Sequence, residues 1–192
     1  MEITINCSGE QVDSFLSELS DAFRSASDNY RCALHCMQHH RGSFFSGLQE
    51  EFDVEVVRCD GAIADVRKWT VEFLMGWTAV ILVRSPEHIA PVFRRISEQA
   101  VAGIYGLNQR AFAELPDLCR TNSNRIEGFV ESQPEHLFYS LDEDAADSSG
   151  LIPQRVSIGP SCPPAIASAV KKLSELKVVE HNRNPGQTTN KY

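Results

Sequence analysis

The residues of this chain best suited to chemistry lie between Cys32 and His40, in the run Cys-Ala-Leu-His-Cys-Met-Gln-His-His. Thiolate and imidazole are the ligand types zinc prefers, and both sit here at short spacing. On a helix, Cys32, His35, Cys36 and His39 would share one face through their i, i+3, i+4 and i+7 positions, with Tyr30, Ala33, Leu34 and Met37 roughly opposite. A stripe of Cys32, Cys36 and His39 is therefore the candidate metal site, with zinc as the ion its chemistry suits. Seven residues of helix rise roughly 10 Å, whereas zinc bonds are about 2 Å long, so a complete site would need ligands from elsewhere. Cys59, Cys119, His88 and His136 are the available side chains. The competing reading makes the two cysteines small hydrophobes in a buried element. Thiol catalysis would further require a base and an electropositive setting.

A second group is the acidic run Asp142, Glu143, Asp144 and Asp147. It lacks the glycine and the terminal bidentate glutamate of a calcium loop, so a solvated loop or a contact for a basic partner suits it better. Arg94 and Arg95 have the chemistry to hold a phosphate or carboxylate, although adjacent arginines on a helix ordinarily form a solvated face. There is no G-x-S-x-G elbow, P-loop, H-E-x-x-H or G-x-G-x-x-G fingerprint.

Composition narrows the partners. The 192 residues carry 18 Lys and Arg against 26 Asp and Glu, a formal charge of -8 at pH 7. That average field repels a phosphate backbone, so the expectation is a basic protein partner and no nucleic acid. Trp69 to Val83, the longest nearly uncharged run, is too short and too interrupted to span a bilayer. Met1 to Cys7 has neither the basic start nor the apolar stretch of a secretory signal, which sets the expectation of a cytoplasmic protein with six reduced cysteines.

The elements that must position these groups follow from periodicity. Glu2 to Asn6 alternates as a strand, and Ser8 with Gln11 forms a capping box for a helix bearing Val12, Phe15, Leu16, Leu19, Phe23 and Ala26 on one face. The spacing predicts a second helix from Asp28 or Asn29 to about His40, a short amphipathic turn at Phe44 to Leu48, and a strand at Val54 to Val57. A helix follows from Ile63 to Leu74, then an apolar strand from Thr78 to Val83 and a helix opened by Ser85 and Pro86. That helical pattern continues through Ala100 and Val101 and resumes after Gly106 as far as Leu115. His136 to Leu141 and Arg155 to Ile158 read as strands separated by the acidic loop, and Pro163 and Pro164 lead into a helix reaching about Leu176.

The fold class expected is α+β or α/β, in one domain over 1-179, with a central mixed sheet of about five strands packed by about six helices. Residues 180-192 read as a flexible tail. With cationic partners favoured and no short catalytic motif, the expectation is a non-enzymatic protein-binding domain, an inhibitor or immunity-type antidote acting through Asp142, Glu143, Asp144 and Asp147. The alternative is a small metal- or thiol-dependent enzyme built on the Cys32, Cys36 and His39 helix face.

Overall fold

The structure, a computed structural model, describes residues 2-27, 29-38, 43-59, 77-98, 100-121, 126-141 and 152-181. Seven strands form one sheet: β1 (Glu2–Cys7), β2 (Tyr30–Gln38), β3 (Val54–Cys59), β4 (Trp77–Val83), β5 (Ala100–Asn108), β6 (Leu137–Leu141) and β7 (Ile152–Ile158). Their order across the sheet is β1-β7-β6-β5-β2-β4-β3, and every neighbouring pair is antiparallel. Six helices cover it: α1 (Gly9–Ser25), α2 (Phe44–Glu51), α3 (Ile89–Ser97), α4 (Gln109–Thr121), α5 (Ile126–Ser132) and α6 (Pro164–His181). The class is α+β.

The sheet is covered on both faces. Against one face α1, α2, α3 and α6 bury Phe15, Leu16, Leu19, Leu48, Phe93 and Ile166 onto Cys32, Leu34, Ile81, Ile104 and Tyr139. Against the other, α4 and α5 bury Leu115, Cys119, Ile126 and Val130 onto Ala33, Val80, Leu82 and Tyr105. The alternation of inner-strand residues between the two clusters is the period of two that a pleated strand imposes. Because both sides are apolar, β4 reads as a continuous hydrophobic run, the pattern ordinarily met in buried parallel strands.

Several boundaries follow the sequence directly. Ser8 starts α1 as its spacing predicts, with the Ser8 N–H donating to Gln11 Oε1 at 2.9 Å. Both later strands are present, and they pair antiparallel with one another. Pro86 opens a 3-10 turn at Pro86–His88 that runs into α3, and Pro91 falls in the first turn of α3, where its missing N–H costs no helical bond.

Others do not. The segment expected as a helix from Asp28 to about His40 is β2, a strand paired on both sides with β4 and β5. Its apolar residues satisfy a helical period and a strand period together, and the two faces of the sheet each take alternate side chains. Ala100 and Val101 begin β5 rather than continuing α3. That strand is poor in β-branched residues because its glycines receive rings: a Cβ at Gly106 would lie 2.7 Å from Tyr30 Cε1 and 3.0 Å from Phe23 Cζ. The sheet is antiparallel and seven-stranded instead of mixed and five-stranded, since β5 and β2 were both hidden in helical patterns. α4 runs past Pro116, α5 carried no recognised signal, and α6 reaches His181, two residues into the expected tail. The helix expected from Ile63 to Leu74 lies outside the described residues, as do residues 182-192. No helix among the described residues is long and apolar enough to cross a membrane.

Candidate functional site

On β2, Cys32 and Cys36 point to the same face as Leu34 and are 2% and 0% exposed. Four strand residues advance about 13 Å, so the pair that would share one ion on a helix is far too widely separated to do so on a strand. His35 lies on the opposite face, its ring 6.3 Å from that of Tyr105. The shared Cys/His helix face is therefore corrected to two cysteines on one side of a strand and a histidine on the other. His39 lies outside the described residues. Other side chains considered as ligands are dispersed: Cys119 is a buried residue of α4 on the far face, His88 accepts the Asp53 N–H at Nδ1 (3.1 Å), and His136 Nε2 lies 3.2 Å from Ser157 Oγ. Among the described residues no group of three His, Cys, Asp or Glu side chains is placed to hold a metal ion.

Burial also sets the chemistry of these thiols. Removal from water disfavours the thiolate, pushing Cys36 from its ordinary 9.0 up to about 12 and Cys32 in the same direction. The folded state thus holds these protons more tightly than the unfolded chain. Its contribution to stability is full below the ordinary thiol pKa and declines as pH rises from about 9 toward 12. Cys32 and Cys36 are expected to resist a disulfide reagent at pH 8 except at the rate of unfolding, and the denaturation midpoint to fall above pH 9. Rapid labelling of both in the native protein would contradict the burial.

The richest polar arrangement gathers at the end of the sheet where β2 begins. Tyr30 is 6% exposed, and its hydroxyl donates toward the Gly106 carbonyl at 3.0 Å and the Glu135 carbonyl, with Cys162 Sγ at 3.9 Å. Desolvation, followed by the Cys162 thiol, raises its pKa, so the hydroxyl is a structural donor and not a base. Asn108 ties the network to α4. Its Nδ2 donates to Glu135 Oε1 at 2.7 Å while its Oδ1 accepts the Ala111 N–H at 2.8 Å, the geometry of a helix cap.

Beside Tyr30 a cleft of about 270 Å³ opens between the C-terminal end of α1, the start of β2 and the turn after β4. Arg24, Arg31 and Arg84 line it together with Phe23, Tyr30 and Ile89. Sequence reasoning selected a different arginine pair. Arg94 and Arg95 are exposed and engaged with Asp13 at 2.9 Å and Glu98 at 3.9 Å, on a solvated helix face. These residues carried no shared signal, since Arg84 lies far in sequence from Arg24 and Arg31 and is brought to the same end of the sheet by the pairing of β2 with β4.

The acidic residues Asp142, Glu143, Asp144 and Asp147 lie outside the described residues. A separate acidic corner is described. Glu50 and Glu51 end α2, Asp53 and Glu55 flank the start of β3, and Glu87 adjoins His88, which contacts Asp53. Glu55 pairs with Arg84 at 3.2 Å, and the ion pairs among the described residues leave Glu50, Glu51 and Glu87 without a cation. The carboxylates also adjoin the negative end of the α2 dipole. β3 is an edge strand, pairing with β4 alone among the described residues.

Comparison of the chain with protein-family models, with curated proteins and with solved structures gives no match to any of them.

Proposed function

We propose that this chain is a non-enzymatic protein-binding domain that acts through an acidic surface on a more basic protein, as an inhibitor or immunity-type antidote does. The observation that carries the reading is the acidic corner at α2 and β3, where, among the described residues, Glu50 and Glu51 have no cationic partner and β3 pairs with β4 alone. An edge strand offers unpaired backbone donors and acceptors to an added extended segment, and the surrounding charge selects a basic one. The formal charge of -8 supports the same direction by steering a cationic partner toward the whole molecule. Asp142, Glu143, Asp144 and Asp147 would extend that surface. The buried, high-pKa thiols of Cys32 and Cys36 support a core role for them and not a nucleophilic one.

The test is charge reversal at the corner. Glu50→Lys with Glu51→Lys leaves α2 intact, because cations suit a helix C-terminus. The double variant is expected to lose most of a partner co-purified by the wild-type chain, and its association rate to fall by about tenfold or more at low salt. Neutralising Asp142, Glu143, Asp144 and Asp147 together measures the share of the loop. Retention of the same partner, at the same rate, by both variants would refute an acidic docking surface.

A further inference from the structure

Among the described residues, Ser20 and His136 are the polar side chains buried in the interior. Ser20 is satisfied within its own helix, its hydroxyl donating to the Leu16 carbonyl at 2.8 Å. His136, the residue before β6, reaches instead to a half-buried serine on the neighbouring strand, with Nε2 3.2 Å from Ser157 Oγ. From this pair and the cation beside it we propose that Ser157 is an acyl-acceptor site, a hydroxyl that His136 activates toward a small activated acyl donor such as a thioester or aryl ester.

Three observations support it. First, the tautomer is set. Nδ1 of His136 lies against the Gln133 carbonyl, which can only accept, so Nδ1 carries the proton. In the neutral ring Nε2 is then left with a lone pair aimed at Ser157, and the hydroxyl donates to it. A histidine so placed removes the proton as the serine oxygen attacks.

Second, the two partners differ in burial in the sense that acyl transfer needs. His136 is 5% exposed, whereas Ser157 keeps part of its surface open to a donor in solution. The base is also held by its backbone: its N–H donates to the Gln133 carbonyl at 3.2 Å, and its carbonyl accepts the Gly159 N–H at 2.8 Å.

Third, a cation adjoins the nucleophile. Arg155 precedes Ser157 by two residues on β7, so both side chains share a face of the sheet. The Arg155 guanidinium lies 5.0 Å over the ring of Phe138, the register partner of Ser157, and pairs with Glu131 at 2.9 Å. Attack on an acyl carbon develops one negative charge on one oxygen, which a single guanidinium can match. Phosphoryl transfer spreads its charge over three equatorial oxygens and ordinarily recruits metal ions as well, so the acyl group fits this arrangement better.

In the step, Ser157 Oγ bonds to the carbonyl carbon as the bond from that carbon to the leaving sulfur or oxygen breaks. The hydroxyl proton passes to His136 Nε2 and from there to the departing thiolate or phenolate. One ester on Ser157 and one free thiol or phenol result, with no change of oxidation state. The transfer is stoichiometric, a modification of the chain without turnover, and it lies on β6 and β7, away from the acidic corner at α2 and β3.

The test treats the full chain with p-nitrophenyl acetate at mildly alkaline pH, following phenolate release and locating the acetyl group by peptide mass. Ser157 is expected to acetylate at least about a hundredfold faster than any other serine, the lower end of what a positioned general base contributes. The same chain unfolded in urea should lose that preference. His136→Gln keeps a polar side chain but cannot take up the proton, and is expected to slow the reaction at Ser157 by about a hundredfold. Three outcomes would overturn the proposal: no preference for Ser157 in the native chain, a preference that survives in urea, or an undiminished rate in folded His136→Gln. Labelling of Ser157 by p-nitrophenyl phosphate in place of the acetate would equally reject the acyl assignment. The comparison of native with unfolded wild-type chain decides the matter even if the variant fails to fold.

Discussion

Gly159→Ala is expected to lower the unfolding free energy by about 3 kcal/mol, the upper part of the range for forcing atoms into a filled space. A Cβ there would lie 2.3 Å from the Pro134 carbonyl oxygen, 2.8 Å from its carbon and 3.0 Å from the His136 nitrogen. All three are backbone atoms, so no side chain can swing aside. The close approach is fastened by two hydrogen bonds, Gly159 N–H to the His136 carbonyl and Ser161 N–H to the Pro134 carbonyl, each 2.8 Å. The clash therefore propagates into the junction between β7 and α6 and into the turn bearing Glu135, which supports Tyr30. Urea denaturation reads the effect as a lower midpoint at unchanged slope. Gly128→Ala provides the opposite sign. Nothing lies within 4 Å of a Cβ there, and Gly128 is inside α5, so alanine is expected to stabilise by about 0.5–1 kcal/mol. Equal effects at the two positions would contradict the packing described.

Phe15→Ala is expected to cost about 3–5 kcal/mol, a large share of the stability of a domain of this size. Phe15 is 2% exposed at the centre of α1, and its ring lies 4.7 Å from that of Tyr139 on β6. Tyr139 in turn lies 6.0 Å from Phe93 on α3, so one tyrosine joins two helices to the sheet. A cavity opened beneath α1 loosens both contacts. The loss from Phe15→Ala combined with Phe93→Ala should therefore differ from the sum of the single losses, because the two share a partner. A loss below about 1 kcal/mol for Phe15→Ala would mean that α1 does not seat on this face.

These two positions also mark what the sequence disclosed. Phe15 belongs to a helix with a capping box, a single apolar face and an acidic opposite face, and each local signal agrees with the tertiary outcome. Gly159 carried no signal, since its constraint comes from a chain segment more than twenty residues away. β2 shows a third situation. Cys32, Leu34 and Cys36 alternate as a strand requires, but Ala33 is buried on the reverse face, and the resulting run fits a helical period equally well. Only pairing with β4 and β5 decides between them. The candidate metal face depended entirely on that choice, which is why it dissolved with the helix.

The cleft was invisible for a related reason. Arg31 and Arg84 are separated by α2, β3 and β4, and the register between Cys32 and Val83 brings them to one end of the sheet. Charge was more legible. The excess of carboxylates is a property of composition, although their gathering at the end of α2 beside an edge strand required the sheet order.

Isolating the chain from its native host under mild salt, and measuring the mass and elemental content of what elutes, tests whether it binds a basic protein through an acidic surface. The result expected is a stoichiometric complex with one protein richer in Lys and Arg than in Asp and Glu, without equimolar metal. The chain eluting alone with equimolar zinc or iron would refute an acidic docking surface and favour metal-dependent chemistry.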